Sequence, residues 1–123
     1  MTNDQTGAPT LDLATIDRLR QIEAFKPGII VKLVESFTTN QSHFIDEAPE
    51  LVAAGKFELL RIRLHALRGA AASLGALPLA AVAHCIELIA AEQPAQVITT
   101  LPALRAEFER AALALAAWAA TPE

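Results

Sequence analysis

Apolar residues recur at three- and four-residue intervals along most of this chain, which is the period of helices that bury one face. From about Leu11 to Glu23, the residues Leu13, Ile16, Leu19 and Ile22, with Leu11, form a first stripe, and Thr10 and Asp12 are placed to cap it. Pro27 suits the first turn of a second helix. Ile30, Val31, Val34, Phe37, Phe44, Ile45 and Leu51 give that helix a long apolar face. Pro49 should kink it near its end, and Gly55 should stop it as a left-handed cap. A third helix is predicted from Phe57 to Leu74 on the stripe Leu60, Leu64, Leu67, Ala71 and Leu74, closed by Gly75. A fourth runs from about Pro78 to Ala91, with Leu79, Val82, Ala83, Ile86 and Ile89 or Ala90 inward. Beyond Pro94, the segment Thr99-Thr100-Leu101-Pro102 reads as a further start signal. Leu104, Phe108, Ala111, Leu115 and Trp118 then make the last stripe. The expected fold is all-α: an antiparallel up-down-up-down four-helix bundle with a short additional N-terminal helix.

Composition narrows the class. A chain of 123 residues fits one domain large enough to bury a core without metal or disulfide. Residues 1–9 read as a flexible N-terminal leader and 10–120 as the bundle domain. Hydrophobic residues make up 53% but aromatics only 5%, and much of the rest is alanine, which favours closely packed helices over strands. A net charge of −4 argues against nucleic acid as a partner, since that affinity comes from clustered cations. The single Cys85 has no internal disulfide partner and reads as a small core thiol or the mark of a reducing compartment. The polar start lacks the features of a signal peptide, and no apolar run is long enough to span a bilayer, so a cytoplasmic protein with no membrane partner is expected.

The third helix carries the candidate chemistry. At about 100° per residue, with Leu60 at zero, the leucine stripe stays within about 40° of zero and His65 falls near 140°, outward and to one side. Gly69, Ala72 and Ser73 follow on or beside that face, so the approach to the ring is lined by small residues. Gly69 in mid-helix costs about 1 kcal/mol relative to alanine. Either a partner docks close over the ring, or a neighbouring helix packs there. A histidine titrates near about pH 6.5 in water, so a neutral imidazole with a nucleophilic lone pair is available near neutrality. Arg68, one turn on, is placed to pair with phosphoryl oxygens. Ser73 adds a hydroxyl, and Ile62 projects outward as an apolar contact. Residues 56–75 hold Lys56, Arg61, Arg63 and Arg68 against Glu58, a basic zone in an acidic chain.

The remaining residues have plainer readings. A lone histidine on an amphipathic helix is ordinarily a surface residue, and His43 and His84 are read that way. His84 and Cys85 are adjacent and face different directions on a helix, and no Glu-x-x-His motif occurs, so a bundle-core metal or haem site lacks its usual ligands. No metal site and no resident cofactor is expected. No nucleotide-binding motif is present, so kinase activity is not expected.

The segment Leu64-His65-Ala66-Leu67-Arg68-Gly69, followed by Gly75-Ala76, Leu79 and Ile86-Glu87, resembles the signature of histidine-containing phosphotransfer (HPt) domains. Those domains typically read Ala-His-x-Leu-Lys-Gly, then Gly-Ala, Leu and Leu-Glu. Phe37, Ala48-Pro49-Glu50-Leu51 and Ala53-Ala54-Gly55 extend the resemblance, which covers about residues 12–118. The chain departs from the pattern with Arg for Lys at 68, Lys56 where Asp is frequent and Leu64 where Ala is common. The resemblance implies that His65 is a phosphoacceptor, Arg68 a charge-stabilising residue and Gly69 the clearing beside the ring. Ile62, Gly69, Ala72 and Ser73 would form part of a docking surface. Expected partners are response-regulator receiver domains, with a hybrid histidine kinase upstream. Any Mg²⁺ would sit on the receiver, and a monomer is expected. The competing reading is a non-catalytic helical adaptor that binds receivers without carrying phosphate.

Overall fold

Five α-helices and one 3-10 helix follow one another with short connections in the computed structural model, which describes residues 10–121. The leader expected at residues 1–9 lies outside the described residues. The helices are α1 (Leu13–Phe25), α2 (Ile29–Ala53), α3 (Phe57–Ser73), α4 (Leu77–Glu92) and α5 (Leu101–Ala119), with the 3-10 helix over Pro94–Thr100 before α5. Packing runs α2 on α3, α3 on α4, α4 on α5 and α5 back on α2, which closes a four-helix bundle. Short connections make sequence neighbours antiparallel. Among the described residues no helix is long and apolar enough to cross a membrane.

The core is built from the expected stripes. Leu60, Leu64, Leu67, Ala71 and Leu74 of the third stripe are all buried, as are Leu79, Ala83, Ile86 and Ala90 of the fourth and Leu104, Phe108, Ala111 and Leu115 of the fifth. Phe37 and Phe108 meet across α2 and α5 with centroids 6.0 Å apart. The helix α2 continues four residues past Pro49 to Ala53. Its start falls at Ile29 rather than Pro27, because Gly28 adopts φ 89° and marks the N-cap.

Two glycines stop helices by the same hydrogen-bond scheme. After α2, Gly55 N–H bonds the carbonyl of Val52 and Lys56 N–H that of Leu51. After α3, Gly75 N–H bonds Ala72 and Ala76 N–H bonds Ala71. These are Schellman caps, which need a left-handed residue at the turn, and the two glycines supply φ 71° and 81°. Gly75 also receives α1. Its carbonyl accepts from Asp12 N–H at 2.7 Å, and a Cβ at 75 would lie 3.1 Å from Thr15 Cβ and 3.3 Å from Asp12 N and O.

The short α1 differs from its expected face. Thr15 and Leu19 point inward, while Leu13 and Ile22 are exposed. Spacing gives a stripe but not the line along which a short helix touches its neighbours; here Asp12 and Gly75 set that line. The Asp12 carboxylate caps the helix, accepting from Thr15 N–H at 3.2 Å and Thr15 Oγ1 at 2.7 Å. At the far end Arg20 lies over the Trp118 ring, 5.3 Å from its centroid. Val31 of α2 is likewise exposed, being off the line of Ile30, Val34 and Phe37. Cys85 is exposed rather than in the core, since it lies about 100° around α4 from Ile86. The 3-10 helix went unforeseen. It buries Val97 completely, and Thr99 and Thr100 hydroxyls donate to the carbonyls of Gln96 and Val97.

Two stability measurements follow from these caps. Gly75→Ala forces an L side chain into the left-handed region and against Thr15, so urea unfolding should show a loss of about 1–3 kcal/mol; no loss would mean α1 does not hold this turn. Glu23 caps α2, accepting from Gly28 N–H at 2.8 Å and Ile30 N–H at 3.0 Å. Those two bonds, Gly28 first, hold its carboxyl below the ordinary 4.5, with Arg20 assisting and desolvation opposing. A lowered folded pKa stabilises the fold fully above 4.5, and that contribution drains as pH falls through the lower folded value. Unfolding midpoints taken on acidification below 4.5 should therefore fall more steeply for wild type than for Glu23→Gln. Parallel slopes would refute the linkage.

Candidate functional site

The rotation of α3 follows from its leucines. Leu60, Leu64 and Leu67 are fully buried, so the residues between them must face the surface. His65 lands there with its side chain 64% exposed. Ile62, Gly69, Ala72 and Ser73 are also exposed. A Cβ added at Gly69 would meet nothing within 4 Å, so no helix packs against that point and the clearing beside the ring is open. The Ser73 hydroxyl donates to the Gly69 carbonyl at 2.9 Å, so its proton is engaged within α3 rather than turned toward His65.

α4 supplies the partner that spacing on α3 did not reveal. His65 Nδ1 lies 3.2 Å from Glu87 Oε2. A carboxylate oxygen accepts, so Nδ1 carries the proton and donates. The neutral ring then has its lone pair on Nε2. The other oxygen, Glu87 Oε1, is buried, makes no hydrogen bond and stands 3.7 Å from Arg68 Nη1. Arg68 itself turns to α4 and donates from Nη1 to His84 Nδ1 at 2.7 Å. Guanidinium only donates, so His84 Nδ1 is unprotonated in this arrangement. His65, Glu87, Arg68 and His84 thus form one cross-helix cluster. At one end of it is an accessible imidazole, held in one tautomer and oriented by a carboxylate. Such a group is equipped to attack an electrophilic phosphorus or carbonyl centre.

From spacing alone His84 is a plain surface residue, and Glu87 enters only through the family motif. The signal for both was present in the chain: residues 84 and 87 are one turn apart on α4, as 65 and 68 are on α3. The basic zone of residues 56–75 is also less concentrated than its sequence suggests. Arg63 turns to α2, pairing with Glu47 at 2.7 Å and covering the Phe44 ring at 5.5 Å. Arg61 stays beside His65, and a shallow depression is lined by Glu58, Arg61, Ile62, His65 and Glu87. Among the described residues no three His, Cys, Asp or Glu side chains gather as metal ligands would.

The family model of the Hpt domain matches residues 32–118, well over half of the 123-residue chain. The chain belongs to the Hpt domain family, whose members serve phosphotransfer in two-component phosphorelays. Neither a comparison with curated proteins nor one with solved structures gives a significant match.

The open space at Gly69 has a measurable consequence. Its backbone is ordinary helix, so Gly69→Ala should raise the unfolding free energy by about 0.5–1 kcal/mol. A decrease would show that the position is packed after all.

Proposed function

We propose that this protein is a phosphohistidine carrier that accepts a phosphoryl group from a receiver-domain aspartyl phosphate on His65 and passes it to an aspartate of another receiver. The observation that carries this reading is the hydrogen bond from His65 Nδ1 to Glu87 Oε2 at 3.2 Å on an otherwise exposed ring. The bond leaves the lone pair on Nε2. In the transfer, Nε2 attacks phosphorus, the P–Nε2 bond forms, and the P–O bond to the donor aspartate breaks with its electron pair staying on the carboxylate. The proton on Nδ1 stays where it is, now on a positively charged ring facing Glu87, so no proton has to leave during the step. The return transfer reverses each change.

Charge is the second requirement, because the transferred group passes through a loose, highly charged transition state. Arg68 reaches it by leaving His84. Gly69, Ala72 and Ile62 offer a small-residue and apolar surface on which a receiver would dock, and the Mg²⁺ of the reaction belongs to that receiver. A monomeric, cytoplasmic carrier linked to a hybrid histidine kinase is the working picture.

The test is incubation with a phosphorylated receiver, followed by assay for acid-labile, base-stable label. Wild type should take label and His65→Gln none. Glu87→Ala should label more slowly: a charge-assisted hydrogen bond is worth about 1.5–3 kcal/mol, which sets the loss at roughly tenfold or more. Receiver binding without any label would leave the adaptor reading in its place.

A further inference from the structure

The depression beside His65 contains a cation that the transfer step above does not use. Arg61 stands four residues before His65, one turn away and about 40° around the helix. Arg68 stands one turn after His65, about 60° away in the same rotational direction. The two guanidiniums therefore flank the imidazole on the side that faces α4. Helical side chains lean toward the N-terminus, so the His65 ring covers the turn that holds Arg61. Consistent with this, Arg61 lines the depression with His65 and Glu87, whereas Arg68 is not part of its lining.

The two arginines differ in how firmly they are held. Arg68 donates at 2.7 Å to His84 and faces Glu87. Arg61 pairs at 3.3 Å with Glu58, one turn back, and that carboxylate is 79% exposed. Exposed pairs of this kind contribute little, about 0.2–1 kcal/mol. Arg61 Nε is covered and makes no hydrogen bond. Its guanidinium thus has an unused donor and one weak, exchangeable partner. Meanwhile a phosphoryl group on Nε2 would add negative charge to a depression that already holds the Glu58 and Glu87 carboxylates.

We propose that Arg61 is a phosphoryl-binding residue whose guanidinium exchanges Glu58 for the oxygens of the group carried on His65. This assignment deepens the carrier reading and rests on it. Arg61 and Arg68 close on the phosphoryl group from the two ends of the ring. Glu58 acts as the resting counter-ion, holding Arg61 in place and giving it up when the phosphoryl group arrives.

The test uses potassium phosphoramidate, which needs no partner protein. Its P–N bond breaks, ammonia leaves with a proton from water, and the P–Nε2 bond forms. Phosphorus NMR then follows loss of the Nδ1 proton from the phosphorylated His65 ring as pH is varied. A guanidinium held on the phosphoryl oxygens disfavours the protonated, positively charged ring, so Arg61→Gln should raise that midpoint by about half a pH unit. Arg61→Lys should restore part of the difference, and Glu58→Gln should lower the midpoint by freeing Arg61. Glutamine is a good helix former, and circular dichroism checks that the variant is folded. An Arg61→Gln protein that takes label and titrates like wild type overturns the assignment while leaving the carrier reading intact. A wild type that takes no label defeats both.

Discussion

Burial of the leucine stripe on α3 is the constraint from which the site follows. Leu60, Leu64, Leu67 and Ala71 are fully covered. Burying one such leucine is worth about 1.5–3 kcal/mol, so rotating α3 by even one residue would forfeit more than any surface interaction on it returns. The imidazole faces outward because the leucines cannot. The partner helix completes the arrangement. The buried face of α4 mixes Ala80, Ala83 and Ala90 with Leu79 and Ile86. Small side chains at a contact shorten the distance between helix axes. A glutamate on α4 then spans the gap to a histidine on α3 at 3.2 Å without leaving its own helix surface.

The same packing decides how charge is distributed. Glu87 is largely covered, its side chain 18% exposed, and gives one oxygen to each side: Oε2 to His65 and Oε1 toward Arg68. A covered carboxylate beside the proposed nucleophile would have opposing effects. It fixes the ring tautomer and favours positive charge on the imidazole, yet it would repel an incoming phosphoryl group. Arg68, 3.7 Å from the second oxygen, partly neutralises the charge of that carboxylate in the resting cluster. His84 keeps Arg68 in that position through an uncharged acceptor, so the cluster remains intact while no phosphoryl group is present.

The fold was legible because four long stripes each carry several large apolar residues, and a mismatch of one residue would turn every one of them outward. The glycines at 55 and 75 were legible as stops for a similar reason: each follows the last buried position of its helix, and only glycine accepts the left-handed turn cheaply. Spacing places Leu19 of α1 correctly and Leu13 and Ile22 wrongly, because the helix's placement depends on a backbone bond to Gly75, which leaves no trace in hydrophobic spacing. His65, Arg68 and Gly69 were legible as neighbours on one helix. Glu87 and His84 were not, because bringing residues 22 and 19 positions downstream of His65 to its side requires the register between α3 and α4. That register depends on the three-residue turn around Gly75 and on which alanines of α4 face inward, and periodicity specifies neither.

The proposed carrier must release what it accepts, and the surface pairs around His65 suit that demand. A phosphoryl group held by deeply buried, fully committed cations would be trapped, since breaking such pairs is costly. Here the arginines are part-exposed, at 39% for Arg68 and 41% for Arg61; Arg68 rests on His84 and the largely covered Glu87, and Arg61 on the surface carboxylate of Glu58. On the proposed reading, turning these side chains toward phosphoryl oxygens would leave the leucine core untouched. What the protein adds to the P–Nε2 bond in holding the group is thereby kept, on the proposed carrier reading, to a few side-chain contacts. Were His65 loaded as proposed, these contacts would add little to the energy needed to pass the group on to a receiver.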